Sequence, residues 1–243
     1  MLKFAAIDIG SNAVRLLLCN VFEEGDEPVF KKAELVRMPI RLGEDVFRYG
    51  KISEEKKMLL AKSMRAFKIL IDVFGAIDYR ACATSAMRDA SNSQEIVDFV
   101  RKYSDVSIDV IDGKTEAHII YSNHIAEHLE YDQSYLYIDV GGGSTELTLY
   151  HKSNIILQKS FNIGTVRILT KKVKDETWDE MKETLKDLSK KYENIIGIGS
   201  GGNINKLFSI SGAKAGKSIS YENLKDIYKE MEPLTIDERM KKY

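Results

Sequence analysis

Tyr137-Ile138-Asp139-Val140-Gly141-Gly142-Gly143-Ser144-Thr145-Glu146 is the stretch from which the fold of this chain can be read. An apolar run from Tyr135 to Val140 ends in a carboxylate and three successive glycines, after which Leu147, Leu149 and Tyr150 resume a strand-like pattern. This predicts strand, tight turn, strand. Three adjacent glycines weaken a strand and exceed what a hairpin turn requires, so their expected use is to leave backbone N–H groups unobstructed toward an anion. Ser144 and Thr145 add hydroxyl donors, while Asp139 would repel a bare phosphate but suits a Mg2+ that bridges to phosphate oxygens. The competing reading is a glycine-rich hairpin whose hydroxyls serve only its own backbone.

The same unit occurs near the N-terminus. Ile7-Asp8-Ile9-Gly10-Ser11-Asn12 and the following run Val14 to Cys19 align with it without a gap: Asp8 with Asp139, Gly10 with Gly141, Leu16 with Leu147, Leu18 with Leu149. A carboxylate followed by a glycine turn in both halves is what a duplicated domain would show, and it predicts two phosphate loops facing one cleft.

Between the two hairpins, Pro28 to Met38 reads as a third strand and Arg41-Leu42-Gly43-Glu44 as a polar loop. Ser53 followed by Glu54 and Glu55 looks like a helix start; Leu60, Met64, Phe67, Ile71 and Phe74 form its apolar stripe, and Gly75 ends it. Tyr79 to Ala83 is strand-like and leads into Thr84-Ser85-Ala86-Met87-Arg88-Asp89-Ala90-Ser91-Asn92, a cluster of hydroxyls with an arginine that suits an anion. A helix from Gln94 to Tyr103, a strand from Val106 to Ile111 and a helix from Lys114 to Glu130, with Glu116 in its first turn, complete an α/β pattern. The second half repeats three strands from Tyr135. Helical patterns follow at Gly164 to Lys171 and Asp175 to Tyr192, then a strand at Ile195 to Ile198, a glycine cluster, a helix near Asn203 to Ser209, and a last helix from about Tyr221.

Charge excludes one class of partner. With 36 basic against 37 acidic residues in a chain of 243, no global field holds nucleic acid or a membrane surface. No apolar stretch approaches the roughly 18 residues of a transmembrane helix, and no long apolar segment marks export. Cys19 and Cys82 sit in apolar runs without metal-ligand spacing and read as buried thiols of a reducing compartment. A cytoplasmic protein is expected.

Some motifs are weaker than their spacing suggests. Gly197-Ile198-Gly199-Ser200-Gly201-Gly202 fits the dinucleotide fingerprint, but too few residues follow for the remaining βα units, so a nucleotide or phosphate loop is the better use. Ser211 to Ser218 imitates a P-loop with Gly212 one residue too close, and reads as a solvated basic loop. His124 and His128 could share a helix face, but no third metal ligand is evident.

Taken with both hairpins, Ala83 to Asn92 and Gly199-Ser200-Gly201-Gly202 make the chain resemble the exopolyphosphatase and guanosine pentaphosphate phosphohydrolase family of the actin-like ATPase superfamily. The resemblance implies an α/β fold of two similar actin-like (ribonuclease-H-like) domains with a cleft between them, residues 1–131 and 132–243. Members usually continue with a further strand and helix beyond the position of Tyr243, so the second domain is expected to be shortened at its C-terminal end. The family's catalytic glutamate falls on Glu116, which would orient or deprotonate the attacking water, and Arg88 would grip the terminal phosphate. Ser11, Asn12, Gly142, Gly143, Ser144 and Thr145 would cradle its oxygens, and Asp139 would help hold Mg2+. The chain departs from the usual pattern at Thr115, Asn162 and Asn203.

The resemblance thus implies a hydrolase that releases terminal phosphate from inorganic polyphosphate or guanosine pentaphosphate, by attack of water assisted by Mg2+. The alternatives are an ATP-dependent kinase of the same fold and a non-catalytic binder of nucleotide or polyphosphate. Beyond the phosphorylated ligand, no membrane or nucleic-acid partner is expected, and a homodimer is compatible with the reading.

Overall fold

The computed structural model describes residues 1–23, 28–122, 132–152, 154–214 and 216–243. Its first sheet has the order β3-β2-β1-β4-β5, built from β1 (Leu2–Ile9), β2 (Val14–Phe22), β3 (Val29–Met38), β4 (Asp78–Ala83) and β5 (Asp109–Val110). With it run the helices α1 (Leu42–Tyr49), α2 (Glu54–Phe74), α3 (Ser85–Asp89), α4 (Ser93–Ser104) and α5 (Gly113–Ser122). The second sheet has the order β8-β7-β6-β9, from β6 (Ser134–Val140), β7 (Thr145–His151), β8 (Asn154–Phe161) and β9 (Ile196–Ser200). Its helices are α6 (Thr165–Leu169), α7 (Asp175–Lys191), α8 (Gly202–Ser211), α9 (Tyr221–Met231) and α10 (Ile236–Lys242). The protein is therefore an α/β fold with two sheets.

The duplication extends to the hydrogen-bond register. Asp8 stands opposite Arg15 in the β1–β2 ladder, and Asp139 opposite Glu146 in the β6–β7 ladder. The turns close alike: Gly10 N–H donates to Ala13 O at 3.1 Å, and Gly141 N–H to Ser144 O at 2.9 Å. Even the irregularity recurs, because the register shifts at Leu18/Cys19 in one sheet and at Leu149/Tyr150 in the other, which are equivalent positions of the repeat. A bulge re-aims a strand, and its recurrence at one alignment column marks it as part of the architecture. In each sheet the central strand is joined in parallel by a strand from further along the chain, β4 beside β1 and β9 beside β6.

Alternation along the strands decides which face is buried. Ile7, Ile9, Val14 and Leu16 meet Leu60, Met64, Phe67 and Ile71 of α2 and Ile96 and Val100 of α4 in the larger core. Each such side chain contributes roughly 1.5–3 kcal/mol when fully buried. α2 starts as its sequence predicts, with the Ser53 hydroxyl accepting from Lys56 N–H, and it ends at Gly75 in the left-handed region. A smaller core joins Leu136, Leu147, Leu149, Phe161 and Ile163 to Leu188 of α7.

The two units exchange helices. α5 follows the first sheet in sequence yet packs on β7 and β8, with Gly113 against Ser160. Conversely Val166 of α6 is buried in the first core.

Several expectations need correction. The polar loop expected at Arg41-Leu42-Gly43-Glu44 is the start of α1, where Arg41 takes a left-handed conformation (φ 57°) and Leu42, Val46 and Phe47 are buried. Eight residues carry too few turns to reveal a helical period. Of the strand expected over Val106 to Ile111, only Asp109–Val110 pairs in the sheet. α3 is a separate short helix, and the last helix is α10, opened by a capping box between Thr235 and Glu238. Cys19 and Cys82 are half-buried, not buried. The end of the helix expected to reach Glu130, with His124 and His128, lies outside the described residues. Among the described residues no helix is long and apolar enough to cross a membrane.

Candidate functional site

Both hairpin turns lie where a central strand ends, and they line one cavity of about 820 Å³. Gly10, Ser11 and Asn12 come from the first turn, Gly141, Gly142 and Ser144 from the second. Asp8 and Asp139 line it from the strand ends, Thr84 and Ser85 from the start of α3, Glu116 from the first turn of α5, and Gly201, Gly202 and Asn203 from the start of α8.

The glycines of the second turn answer to close approach. A Cβ built on Gly143 would lie 2.6 Å from Phe47 Cζ and 2.9 Å from Ser11 Oγ, and on Gly142 3.0 Å from Ser11 Cβ. Neither residue has positive φ, so the turn conformation alone would tolerate a side chain. What the turn cannot tolerate is separation from the first unit. Gly201 differs: at φ +95° it needs glycine for conformation, and a Cβ there would sit 2.9 Å from Asp139 Oδ1.

The carboxylates set the electrostatics. Burial pushes Glu116 from 4.5 to about 8, and the nearby Glu146 adds to the rise while Arg88 opposes it. Burial likewise raises Glu146, against hydrogen bonds from the Ser144 and Ser160 hydroxyls, the latter at 2.9 Å. Asp8 is raised by loss of water in the cavity wall in spite of its ion pair with Arg15, whose guanidinium stands 2.8 Å away. Asp8 and Glu116, both with raised pKa values, line the cavity together with Asp139, and Arg15, Arg37 and Arg80 line it as well.

The carboxylates bear on a metal. Among the described residues no group of three or more His, Cys, Asp or Glu side chains is placed to hold an ion by itself. Mg2+ does not require one, since it commonly takes one or two carboxylates and completes its shell with water and substrate phosphate. A cavity lined by Asp139, Asp8 and Glu116 fits such an ion.

Of the residues expected at the site, Ser11, Asn12, Gly142, Ser144, Asp139 and Glu116 line the cavity. Gly143, Thr145 and Arg88 are not among its lining residues. The Thr145 hydroxyl instead donates to Ile163 O at 2.6 Å, inside the protein. Arg88 lies on α3, beyond the end of β4, and donates to Ile111 O at 2.8 Å and to Glu116 at 3.4 Å. It does not pair with Asp89, which accepts from Arg167 at 2.6 Å. Asn92 is likewise engaged elsewhere, with both backbone groups of Ile52.

Asp8 and Glu146 have no assigned role from sequence, while Thr84 and Ser85 belong to the hydroxyl cluster that the sequence matches to an anion. The repeat could have found the first, as the partner of Asp139, and Glu146 closes the glycine motif. Nothing local signals that the Ser85 hydroxyl meets that of Ser11 at 2.8 Å, a contact between residues far apart in the chain.

Two like hairpins, one in each sheet of an α/β fold, bring their turns to one cavity lined by carboxylates and guanidiniums together. The chain belongs to the Ppx/GppA phosphatase family, whose pattern matches residues 29–239. It is 32% identical over 214 residues to a bifunctional 3-dehydroquinate synthase/phosphatase of Fusobacterium nucleatum, covering 80% of this chain and 32% of that protein. It is 29% identical to exopolyphosphatase 1 of Mycobacterium tuberculosis, covering 60% of this chain and 42% of the relative. The chain thus spans about a third to two fifths of these curated relatives. Among solved structures, an exopolyphosphatase from Cytophaga hutchinsonii superposes with a TM-score of 0.82 at 23% identity, covering 98% of this chain and 82% of that one. The Aquifex aeolicus family member gives 0.74 at 25% identity, covering 100% and 82%.

Proposed function

We propose that the protein hydrolyses the terminal phosphoanhydride of inorganic polyphosphate or guanosine pentaphosphate. The observation that carries this reading is Glu116, held at a pKa of about 8 in the wall of a cavity whose other walls are the two hairpin turns. Phosphoryl transfer asks mainly for positioning and for neutralisation of charge on the phosphate oxygens. Ser11, Asn12, Gly142 and Ser144 would bind the terminal phosphate, and Glu116 would orient the attacking water and take its proton. Arg88 would hold Glu116 in place from behind. Asp139 would hold a Mg2+, which would supply positive charge beside the phosphate oxygens.

The two sheets would form actin-like domains at residues 1–131 and 132–243, with the cavity as their cleft and α5 reaching across to the second. The free thiols of Cys19 and Cys82 suit a reducing cytoplasm. Phosphate release from both substrates, measured across ionic strength with Mg2+ present, tests the reading. A polymer should show the steeper salt dependence, since more of its charges meet the protein; release from neither substrate would remove the hydrolase.

A kinase of the same fold is the second reading, supported by Gly201 to Asn203 at the cavity edge, where an adenosine could sit. ATP consumption that requires an added acceptor would favour it.

A further inference from the structure

The glycine turn is held from behind by α6. Gly141 O accepts from Thr165 N–H at 3.0 Å, Gly142 O from Val166 N–H at 2.8 Å, and Gly143 O from the Arg167 side chain Nε at 2.8 Å. In a trans peptide the carbonyl and the next N–H point in opposite directions, and the protein has no cis peptide among the described residues. The N–H groups of Gly142, Gly143 and Ser144 are therefore turned away from α6, and none of them has an acceptor among the described residues. The first turn is held in the same way, Ser11 O by Gly43 N–H at 2.8 Å and Asn12 O by Arg41 N–H at 2.9 Å, but there by backbone alone.

Arg167 is the difference. Its guanidinium is nearly buried, lies 4.1 Å from the centre of the Phe47 ring, and donates to Asp89 of α3 at 2.6 Å while Nε holds Gly143. A planar fork can make both bonds at fixed angles, which an ammonium cannot.

Resting on the phosphate-site reading above, we propose that Arg167 is a positioning residue for phosphoryl transfer. It fixes the Gly143–Ser144 peptide so that the amides of the turn face a phosphate oxygen, and through Asp89 it ties that geometry to the docking of α3. Three successive amides pointed one way form an anion-binding nest whose donors need no reorganisation when charge shifts on the phosphate.

The test compares wild type, Arg167→Lys and Asp89→Asn in the full chain, with amide NMR during titration by inorganic phosphate in the presence of Mg2+, and with kcat and KM on tripolyphosphate. Wild type should shift the Gly143 and Ser144 amide signals on phosphate addition. Arg167→Lys should lose that shift and at least about tenfold in kcat while melting within a few degrees of wild type. Asp89→Asn should keep the shift and lose less activity. A wild-type phosphate shift retained in Arg167→Lys overturns the proposal, as does a wild type whose Gly143 and Ser144 amides ignore phosphate. If wild type shows the amide shift but releases no phosphate from tripolyphosphate, hydrolysis is refuted, and the amide comparison still decides the positioning role.

Discussion

Across the first hairpin Asp8 faces an arginine; across the second, at the equivalent position, Asp139 faces a glutamate. The backbones match down to the bulge, so at this pair the difference is one of charge. Arg15 partly neutralises Asp8 from 2.8 Å, with both side chains nearly half exposed, a pair that adds little stability. Asp139 stands opposite a second carboxyl in its ladder, that of Glu146, which is pushed up by burial. Duplication gave two similar turns, and substitution made the second one acidic. A second contrast follows from packing: a Cβ on Gly10 would meet one backbone oxygen of its own turn, at 3.2 Å, whereas on Gly143 it would run into the side chains of Ser85, Phe47 and Ser11.

The largest effect should come from Glu116, which faces the acidic hairpin. Glu116→Gln should lower phosphate release by about 10²–10⁴-fold, the usual contribution of a positioned acid or base. Unchanged turnover would remove Glu116 from the reaction.

The same variant probes the burial of this carboxyl through stability. Glu116 has a folded pKa of about 8 against 4.5 in the unfolded chain, so its stabilising contribution is complete below pH 4.5 and is lost as pH rises through about 8. Measured by urea unfolding without metal, Glu116→Gln should match wild type near pH 4.5. It should exceed it above pH 8 by on the order of 3 kcal/mol, taking about 1.4 kcal/mol per pKa unit and allowing for partial solvation. A difference that does not change with pH would mean the carboxyl is solvated.

Packing gives the next effect. Gly143→Ala should cost about 1–3 kcal/mol as an overpacked contact, because its Cβ meets Phe47 and Ser11. Gly10→Ala, whose Cβ would lie 3.2 Å from Ala13 O, should stay within about 1 kcal/mol of wild type, since the lost chain entropy of glycine offsets a small displacement. Equal melting temperatures for the two variants would break the contrast.

The smallest effect belongs to Arg88. Arg88→Ala should lower turnover about tenfold, the size of one charge-assisted contact. Because Arg88 opposes the rise in the Glu116 pKa, its removal should also move the ascending limb of the pH–rate profile to higher pH. Loss of turnover with an unmoved limb would return Arg88 to direct phosphate binding.

The repeat was readable in the sequence because strand alternation and a carboxylate before a glycine turn are local patterns, set by residues a few positions apart. So were the start of α2 at Ser53 and its end at Gly75. The lining of the cavity was readable where a residue sits in a turn, as Ser11, Asn12, Gly142 and Ser144 do, because a turn at the end of a strand faces outward from the sheet. Tertiary structure decided what no local pattern encodes. It turned Thr145 inward to Ile163, set Arg88 behind Glu116, and brought Asp89 to Arg167 across the chain. It also gave the glycines their reason, since Gly142 and Gly143 are small to let another hairpin approach and not because their own backbone demands it. Hydrogen bonds and close contacts between distant segments depend on how two sheets pack, and packing is fixed only when the whole chain has folded.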